Sequence, residues 1–103
     1  MASIVYTTTN NLQEGKKIAH FLVKEKLVAC VNIIPNVKSI YNWKNKIEEE
    51  NEYVLIAKTV DKNIKKTILR IKEIHSYKLP DIVVLPIVDG LKEYLEYIGK
   101  ETA

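Results

Sequence analysis

The sequence contains little of what marks secreted or membrane-spanning proteins. It has one cysteine, Cys30, among 103 residues, which excludes an intramolecular disulfide and fits a reducing compartment. No apolar run approaches the ~20 residues that a membrane-spanning helix needs. Residues 1–20 also lack the apolar segment of a signal peptide. We therefore expect a cytoplasmic protein without a membrane partner.

The charge of the chain is weak and dispersed. Sixteen Lys and Arg residues stand against thirteen Asp and Glu residues, which gives a formal net charge of +3. Lysines and acids are scattered through most of the chain, and no basic face with interleaved aromatic residues is visible. This pattern argues against a nucleic-acid partner. The length fits a single domain that covers residues 1–103.

The motifs of common enzyme classes are also missing. No glycine-rich loop follows a strand, and Asp89-Gly90 is an isolated turn signal. Cys30 lies inside an apolar strand, which favours a buried, inert thiol over a nucleophile. The acidic run 48–50 fits a solvated hairpin tip better than a pair of catalytic carboxylates. Without a nucleophile–base pair or a cofactor motif, we expect no enzymatic activity.

The apolar periodicity predicts the element order β-α-β-β-α-β-α. Strand-like runs cover residues 3–8, 28–34 with a continuation at 37–43, 52–60 and 82–88, and helical spacing fills 12–26, 61–75 and 91–98. Helices that alternate with strands around a central hairpin match the split βαβ pattern of a ferredoxin-like sandwich, an α+β fold. Two helices would cover the apolar face of an antiparallel sheet, and the extra C-terminal helix would cover a sheet edge.

Capping residues and prolines refine these boundaries. Asn10 or Asn11 is the expected N-cap of the first helix, and Glu14 is placed to complete a capping box. Asp61 is the expected N-cap of the second helix. Proline removes a ladder hydrogen bond, so the prolines inside two strand-like runs predict edge strands or bulges, at Pro35 and Pro86.

The centre of the chain predicts a long projecting hairpin. Two strand-like runs flank a polar segment, residues 44–51, that contains neither Gly nor Pro. Two-residue hairpin turns usually need residues with φ > 0, so we expect a longer loop at the tip. Tyr41 and Trp43 lie on the arm of this hairpin, where large aromatic side chains need a partner surface. The hairpin therefore predicts an oligomer with these two residues at its interface.

Two imidazoles and one strand lysine are the remaining candidates for a site. His20 lies among the lysines of the first helix, and we expect it on the surface. His75 ends the second helix, and two explanations for a histidine at this position compete: stabilisation by the helix dipole and ligand binding. One Cys and two His cannot close a zinc site in one chain, but a symmetric oligomer can pool ligands. Lys58, inside an apolar strand, is either an edge device against aggregation or a buried cation that awaits an anion.

The order and spacing of residues across the whole chain resemble the CutA family of divalent-cation tolerance proteins. No single short motif is specific, and the resemblance rests on the set as a whole. The matching features are Ala29-Cys30-Val31-Asn32 with Pro35, Ser39-Ile40-Tyr41 with Trp43, Lys46-Ile47-Glu48 with Glu52, Lys58-Thr59, His75 with Tyr77 and Pro80, and Tyr94-Leu95.

The resemblance implies a homotrimer of ferredoxin-like protomers, in which long hairpins reach neighbouring subunits and pair with their strands. It also implies a link to tolerance of copper and other divalent cations. A bacterial copper-site pattern of the family uses a cysteine late in the first strand and a His-His pair. Those positions hold Thr7, Ile74 and His75 in this chain. His75 is therefore the candidate metal ligand, with copper or another divalent cation as the bound ion.

An alternative function follows from the similarity of the family to PII signalling proteins in trimeric architecture. It is a binding module that takes a small anionic ligand in the clefts between subunits. Pockets of this kind combine aromatic side chains with one or two fixed charges. The candidate lining residues are Trp43, Lys58, His75 and Tyr77.

Replacement of Trp43 tests the predicted interface. Trp43→Ala should weaken assembly by about 2 kcal/mol or more, because buried tryptophans at interface centres dominate binding energy. Sedimentation at low micromolar concentration and thermal melting are the measurements. An unchanged oligomer mass together with an unchanged melting temperature would remove Trp43 from the interface.

Overall fold

A computed structural model describes all 103 residues and contains the predicted order of elements. The chain forms four strands and three α-helices, and a short 3-10 helix, Asp61–Asn63, precedes the second α-helix. In chain order the elements are β1 (Ala2–Thr9), α1 (Leu12–Lys24), β2 (Cys30–Trp43), β3 (Lys46–Val60), α2 (Ile64–Ile74), β4 (Val83–Pro86) and α3 (Lys92–Glu101).

The four strands form one antiparallel sheet in the order β2-β3-β1-β4. This is the predicted ferredoxin-like α+β arrangement. The two edge strands, β2 and β4, are the strands that contain proline, as expected. The pairing of β2 with β3 shifts between Ile34 and Val37, and Asn36 adopts φ 60° there. Pro35 therefore lies at a bulge on an edge strand, where its missing N–H costs least.

The main core lies between the sheet and the helices α1 and α2. Its seven buried residues are Val5, Ile18, Leu22, Val28, Leu55, Ala57 and Ile71. A smaller cluster, in which Ile98 of α3 packs with Ala2 and Ala29, lies at one end of the sheet. The prediction that the third helix covers a sheet edge was wrong, because Ile98 packs beside the start of β1, a central strand.

The sheet face opposite α1 and α2, which we call the open face, is also apolar. Directly paired residues share a face, and Ile4 pairs with Leu85 while Tyr6 pairs with Val83. Leu85 and Val83 are about half exposed, at 48% and 54%. The prediction of one apolar face, covered by two helices, was therefore incomplete. The apolar run in β1 places apolar side chains on both faces of the sheet.

The hairpin tip is tighter than predicted. Trp43 pairs with Lys46, which leaves only Lys44 and Asn45 in the turn. Their φ angles of 51° and 66° are both left-handed, as a type I′ turn requires. The prediction of a longer loop was wrong because Asn tolerates this conformation and the long strand pairing offsets the cost at Lys44. The acidic residues 48–50 consequently belong to β3 and not to the tip.

The helix caps agree with the sequence at α1 and differ at α2. The side chain of Asn11 accepts a hydrogen bond from the Glu14 backbone N–H at 2.7 Å, which confirms the N-cap. The Glu14 carboxylate does not close a capping box, because it accepts the Ser76 backbone N–H instead, at 2.8 Å. Asp61 does not cap α2, because it begins the 3-10 helix and accepts the Ser3 hydroxyl at 2.7 Å. None of the helices is long and apolar enough to cross a membrane.

The turn conformation predicts a stabilising substitution. Lys44→Asn should raise the free energy of unfolding by about 0.5–1 kcal/mol, because Asn enters the left-handed region at lower cost than Lys. Urea denaturation at fixed protein concentration measures the change. Lys46→Asn is the matched control, since that residue lies in a strand, and it should give no gain. Equal effects of the two variants would contradict a type I′ turn in solution.

Candidate functional site

Five polar side chains meet where β1 ends, and we call them the β1-end cluster. Thr8 comes from β1 and Glu52 from β3, while the loop between α2 and β4 supplies the other three. Hydrogen bonds between the side chains of this loop and the strands hold the loop against the sheet: His75 and Tyr77 donate, and Asp81 accepts. The cluster consists of Thr8, Glu52, His75, Tyr77 and Asp81.

The His75 imidazole is buried and uses both ring nitrogens. Its Nε2 lies 2.7 Å from the Thr8 carbonyl oxygen, and because a carbonyl only accepts, Nε2 carries the hydrogen. Its Nδ1 then accepts the Tyr77 backbone N–H at 3.1 Å. His75 is 7% exposed, and its ring centroid lies 4.6 Å from that of Tyr77. These contacts account for the burial of the imidazole, and its role as a metal ligand stays a prediction.

Two carboxylates converge on one hydroxyl in the cluster. The Thr8 Oγ1 lies 2.7 Å from both Asp81 carboxylate oxygens and 3.3 Å from Glu52 Oε2. A hydroxyl has a single hydrogen, so Thr8 donates to the nearer Asp81. Glu52, which is 6% exposed, accepts the Tyr77 hydroxyl at 2.5 Å. Neither carboxylate forms a salt bridge, which makes the site rich in oxygen donors and short of positive charge.

Burial and the carboxylates of β3 raise the pKa of two neighbouring tyrosines, Tyr77 and Tyr41. Burial, followed by the hydrogen bond to Glu52, raises the pKa of Tyr77 far above its usual value. Partial burial and the hydrogen bond to Glu50 raise the pKa of Tyr41. Residues two apart on a strand share a face, so Glu48, Glu50 and Glu52 form a row along β3. The row extends the negative potential of the cluster onto the hairpin.

The four predicted cleft residues do not come together within one chain. His75 and Tyr77 are adjacent, but Trp43 lies at the far tip of the hairpin and is 46% exposed. Lys58 pairs with Ile4 near the start of β1, at the opposite end of that strand from the cluster. Only contacts between subunits can bring the four residues into one cleft.

The structure overturns one of the two explanations that the sequence offered for Lys58, and the other, a buried cation that awaits an anion, stays a prediction. Lys58 belongs to β3, which is a central strand, so the edge-strand explanation was wrong. The side chain is half-buried on the open face, and its Nζ lies 3.3 Å from the Tyr94 hydroxyl and 5.4 Å from the centroid of that ring. Cys30 pairs directly with Lys58 and is half-buried too. The Cys30 thiol is less buried than predicted, because Cys30 also lies on the open face.

The predicted interface residues lie on an exposed apolar hairpin. Tyr41 is 38% exposed, and the opposite hairpin face adds two side chains that sequence reasoning did not select, Ile40 and Ile47. Sequence reasoning also gave no role to Thr8 and Asp81, and it used Glu52 only as a family feature. One signal in the sequence could have pointed to this cluster: Glu52 is a carboxylate at the start of the strand-like run 52–60, which is otherwise mostly apolar.

The family copper positions do not form a metal site in one chain. Thr7 is 1% exposed and its hydroxyl has no hydrogen-bond partner, while Ile74 offers no ligand atom. Across the chain, no three His, Cys, Asp or Glu side chains are grouped so as to hold a metal ion. Any tight metal site would therefore draw on ligands from more than one copy or on a local rearrangement.

Comparisons with known proteins give one consistent result. The family model described as CutA1 divalent ion tolerance protein matches residues 3–101. Divalent-cation tolerance protein CutA of Thermus thermophilus is 39% identical over 102 residues, which cover 99% of each chain. The protein of the same name in Archaeoglobus fulgidus is 41% identical over 100 residues, which cover 97% of each chain. The chain belongs to the CutA1 divalent ion tolerance family.

Solved structures agree with this assignment. The periplasmic divalent cation tolerance protein CutA from Archaeoglobus fulgidus matches with a TM-score of 0.97 and 39% identity over 100% of both chains. The Thermus thermophilus protein gives the same values. Some relatives are longer, since the chain spans 54% of the chloroplastic Protein CutA of Arabidopsis thaliana, at 38% identity. The Archaeoglobus fulgidus structure is named as periplasmic. The cytoplasmic location of this chain stays a prediction.

Loss of the Tyr77 hydroxyl tests the network. Tyr77→Phe should lower the free energy of unfolding by about 1–3 kcal/mol, because it removes a hydrogen bond to a buried carboxylate. Tyr97→Phe is the matched control, since that residue is 43% exposed, and it should change stability little. Urea denaturation measures both, and equal effects would contradict a role for the hydroxyl.

The same variant has a pH signature. The pKa of Tyr77 is raised in the folded state, so its contribution is complete below the unfolded-state value of about 10 and is lost as the pH rises beyond it. Wild type should therefore lose more stability than Tyr77→Phe above that pH. Parallel pH profiles of the two proteins would contradict the assignment.

Proposed function

We propose that this chain acts as a homotrimer that binds a divalent cation, with copper as the preferred ion, in support of metal tolerance. The observation that carries the proposal is the pair of carboxylates, Glu52 and Asp81, that converges on the Thr8 hydroxyl without a cationic partner. Membership of the divalent ion tolerance family supports the same class of function. The proposal assigns no catalytic role.

The hydrogen bonds of His75 favour Nδ1 as the metal-binding atom. Metal-ligating histidines commonly donate their other ring N–H to a carbonyl or carboxylate, which fixes the tautomer. His75 already donates Nε2–H to the Thr8 carbonyl. Release of the Tyr77 N–H from Nδ1 frees a lone pair without disturbing that bond. Copper has the highest affinity among the common divalent first-row ions for such nitrogen and oxygen donors.

The trimer supplies what one chain lacks. The edge strands β2 and β4, the half-exposed apolar side chains of the open face and the hairpin aromatics all need covering. A homotrimer is consistent with the structural neighbours of this chain. Three symmetric copies would also pool cluster residues near one another, which relieves the shortage of ligands in a single chain.

An anionic ligand in the intersubunit clefts is the second candidate function. The Lys58 ammonium supports it, because it lies on the open face with no carboxylate oxygen within 4.0 Å. The β1-end cluster supports a cation instead, since a bound anion beside Tyr77 would meet Glu52 and Asp81. The cation proposal therefore ranks first for the His75 and Tyr77 region.

A copper titration by calorimetry in glycine-competed buffer separates the two functions. Wild type should bind copper at a defined stoichiometry, and His75→Ala should lower the affinity by about tenfold or more, the usual effect of losing a ligand or its support. His20→Ala is the matched control, because that imidazole is exposed on α1, and it should bind as wild type does. Glu52→Gln should weaken binding as well.

Weak binding that is equal in wild type and in His75→Ala would contradict a copper site. The anionic-ligand function would then become the leading candidate. Copper binding that survives in His75→Ala but fails in Glu52→Gln would contradict His75 as a ligand and retain a cation site made of oxygen donors.

A further inference from the structure

Most of the positive charge of the chain lies in the two segments that contain α1 and α2. Segments 12–26 and 61–74 contain nine of the sixteen cationic residues and only four of the thirteen acidic ones. Their net charge of +5 exceeds the +3 of the whole chain. We call the exposed lysines of these segments the lysine face, which consists of Lys16, Lys17, Lys24, Lys26, Lys62, Lys65, Lys66 and Lys72.

The acidic residues of the same segments are already engaged inside the chain. Arg70 pairs with Glu25 at 2.8 Å and with Glu73 at 3.7 Å. Asp61 accepts the Ser3 hydroxyl and Glu14 accepts a backbone N–H. Both salt bridges of the chain belong to Arg70, so no lysine lies within 4.0 Å of a carboxylate oxygen. The lysine face therefore presents eight ammonium groups to solvent, none of them in a salt bridge, and the two segments keep their net charge of +5.

Two apolar side chains project from the middle of these lysines. Leu69 is 62% exposed on α2, where Lys65, Lys66 and Lys72 are its neighbours at helical spacing. Val23 is 44% exposed on α1, beside Lys24. At an anionic lipid surface the aliphatic stems of lysines and the two apolar side chains can contact the acyl boundary while the ammonium groups stay at the headgroups.

We propose that the lysine face is a docking surface for a bilayer of anionic lipids. It lies on the side of the sheet away from the open face, so it stays exposed in the proposed homotrimer. The prediction of no membrane partner considered spanning segments, and docking of this kind needs none. Each lysine near an anionic surface adds attraction that salt weakens.

A nucleic acid fits this surface less well. Arginine is the preferred residue for bidentate phosphate contacts, and the single arginine, Arg70, is held by Glu25 through both Nε and a terminal nitrogen. No free aromatic ring is available for base stacking, because Phe21 is half-buried under the Arg70 guanidinium at 5.1 Å. Leu69 and Val23 would gain nothing against a phosphate backbone.

Vesicle flotation tests the proposal with the intact protein. The probes are vesicles of phosphatidylcholine alone and of equal parts phosphatidylcholine and phosphatidylglycerol. Binding should require phosphatidylglycerol and fall as salt rises. A triple variant of the lysine face should bind about tenfold less or weaker still, because three attractive charges are lost. It combines Lys65→Gln, Lys66→Gln and Lys72→Gln, and glutamine keeps the helix propensity of lysine.

The control is a second triple variant, of exposed lysines outside the lysine face. It removes the same charge but should bind as wild type does. It combines Lys78→Gln, Lys92→Gln and Lys100→Gln. Equal loss in the two triple variants, or no binding of wild type to the anionic vesicles, would overturn the proposal.

Leu69→Ser distinguishes a bilayer from a charged polymer. It should lower vesicle binding severalfold, because a buried leucine side chain is lost from the acyl boundary, and leave the weak attraction to a DNA duplex unchanged. Tighter binding of wild type to the duplex than to the anionic vesicles, unaffected by Leu69→Ser, would also overturn the proposal. Copper plays no part in these measurements, so they are independent of the proposed metal site.

Discussion

The long pairing of β2 with β3, interrupted only by the bulge at Pro35, is the interaction on which the molecule depends. It runs from Cys30 opposite Lys58 to Trp43 opposite Lys46. In its first part, Leu55 and Ala57 of β3 belong to the main core beneath α1 and α2. In its second part the hairpin has no helix beneath it, and the 44 Å length of the molecule against widths of 25 and 22 Å reflects the projection. The section of the pairing in the core thus anchors the projecting hairpin, which would be only marginally stable by itself.

A single chain therefore leaves the apolar side chains of its hairpin uncovered. An isolated two-stranded ribbon is marginally stable in water, and on this one Trp43, Tyr41 and Ile47 are 46%, 38% and 78% exposed. The register of β2 against β3 shifts at the bulge around Pro35, and the pairing resumes at Val37. A partner surface for the hairpin would cover its apolar side chains, and the open face presents apolar area of the same kind.

The sequence could predict the elements of this fold far better than their contacts. Periodicity is local, so it located the strands and helices, and the missing N–H of Pro35 and Pro86 predicted edge strands or bulges at those positions. The turn at Lys44 and Asn45 was missed because the pairing of the strands on either side offsets the cost of a left-handed Lys44, and no local pattern reports that pairing. Asp61 was misassigned because its partner, Ser3, lies 58 positions away, and no local pattern reports such a contact.

The candidate site shows the same limit. His75 was identifiable from its place at a helix end, but the reason for its burial is the Thr8 carbonyl, 67 positions earlier. The convergence of Glu52 and Asp81 on Thr8 joins three separate segments of the chain. Nothing in the spacing of these residues predicts it. Only the antiparallel register, which places Thr8 opposite Val54, brings Glu52 within reach.

Charge separation connects these features to function. The carboxylate row of β3 and the β1-end cluster lie on the open-face side of the sheet, whereas the lysine face lies on the helix side. Within one protomer the two sets do not pair, since the only salt bridges belong to Arg70. A protein that kept both signs on one side would neutralise itself through surface ion pairs of little energetic value. By keeping them apart, the fold leaves a negative site able to attract cations and, on the opposite side, a positive surface able to attract anions, each with its field largely uncancelled.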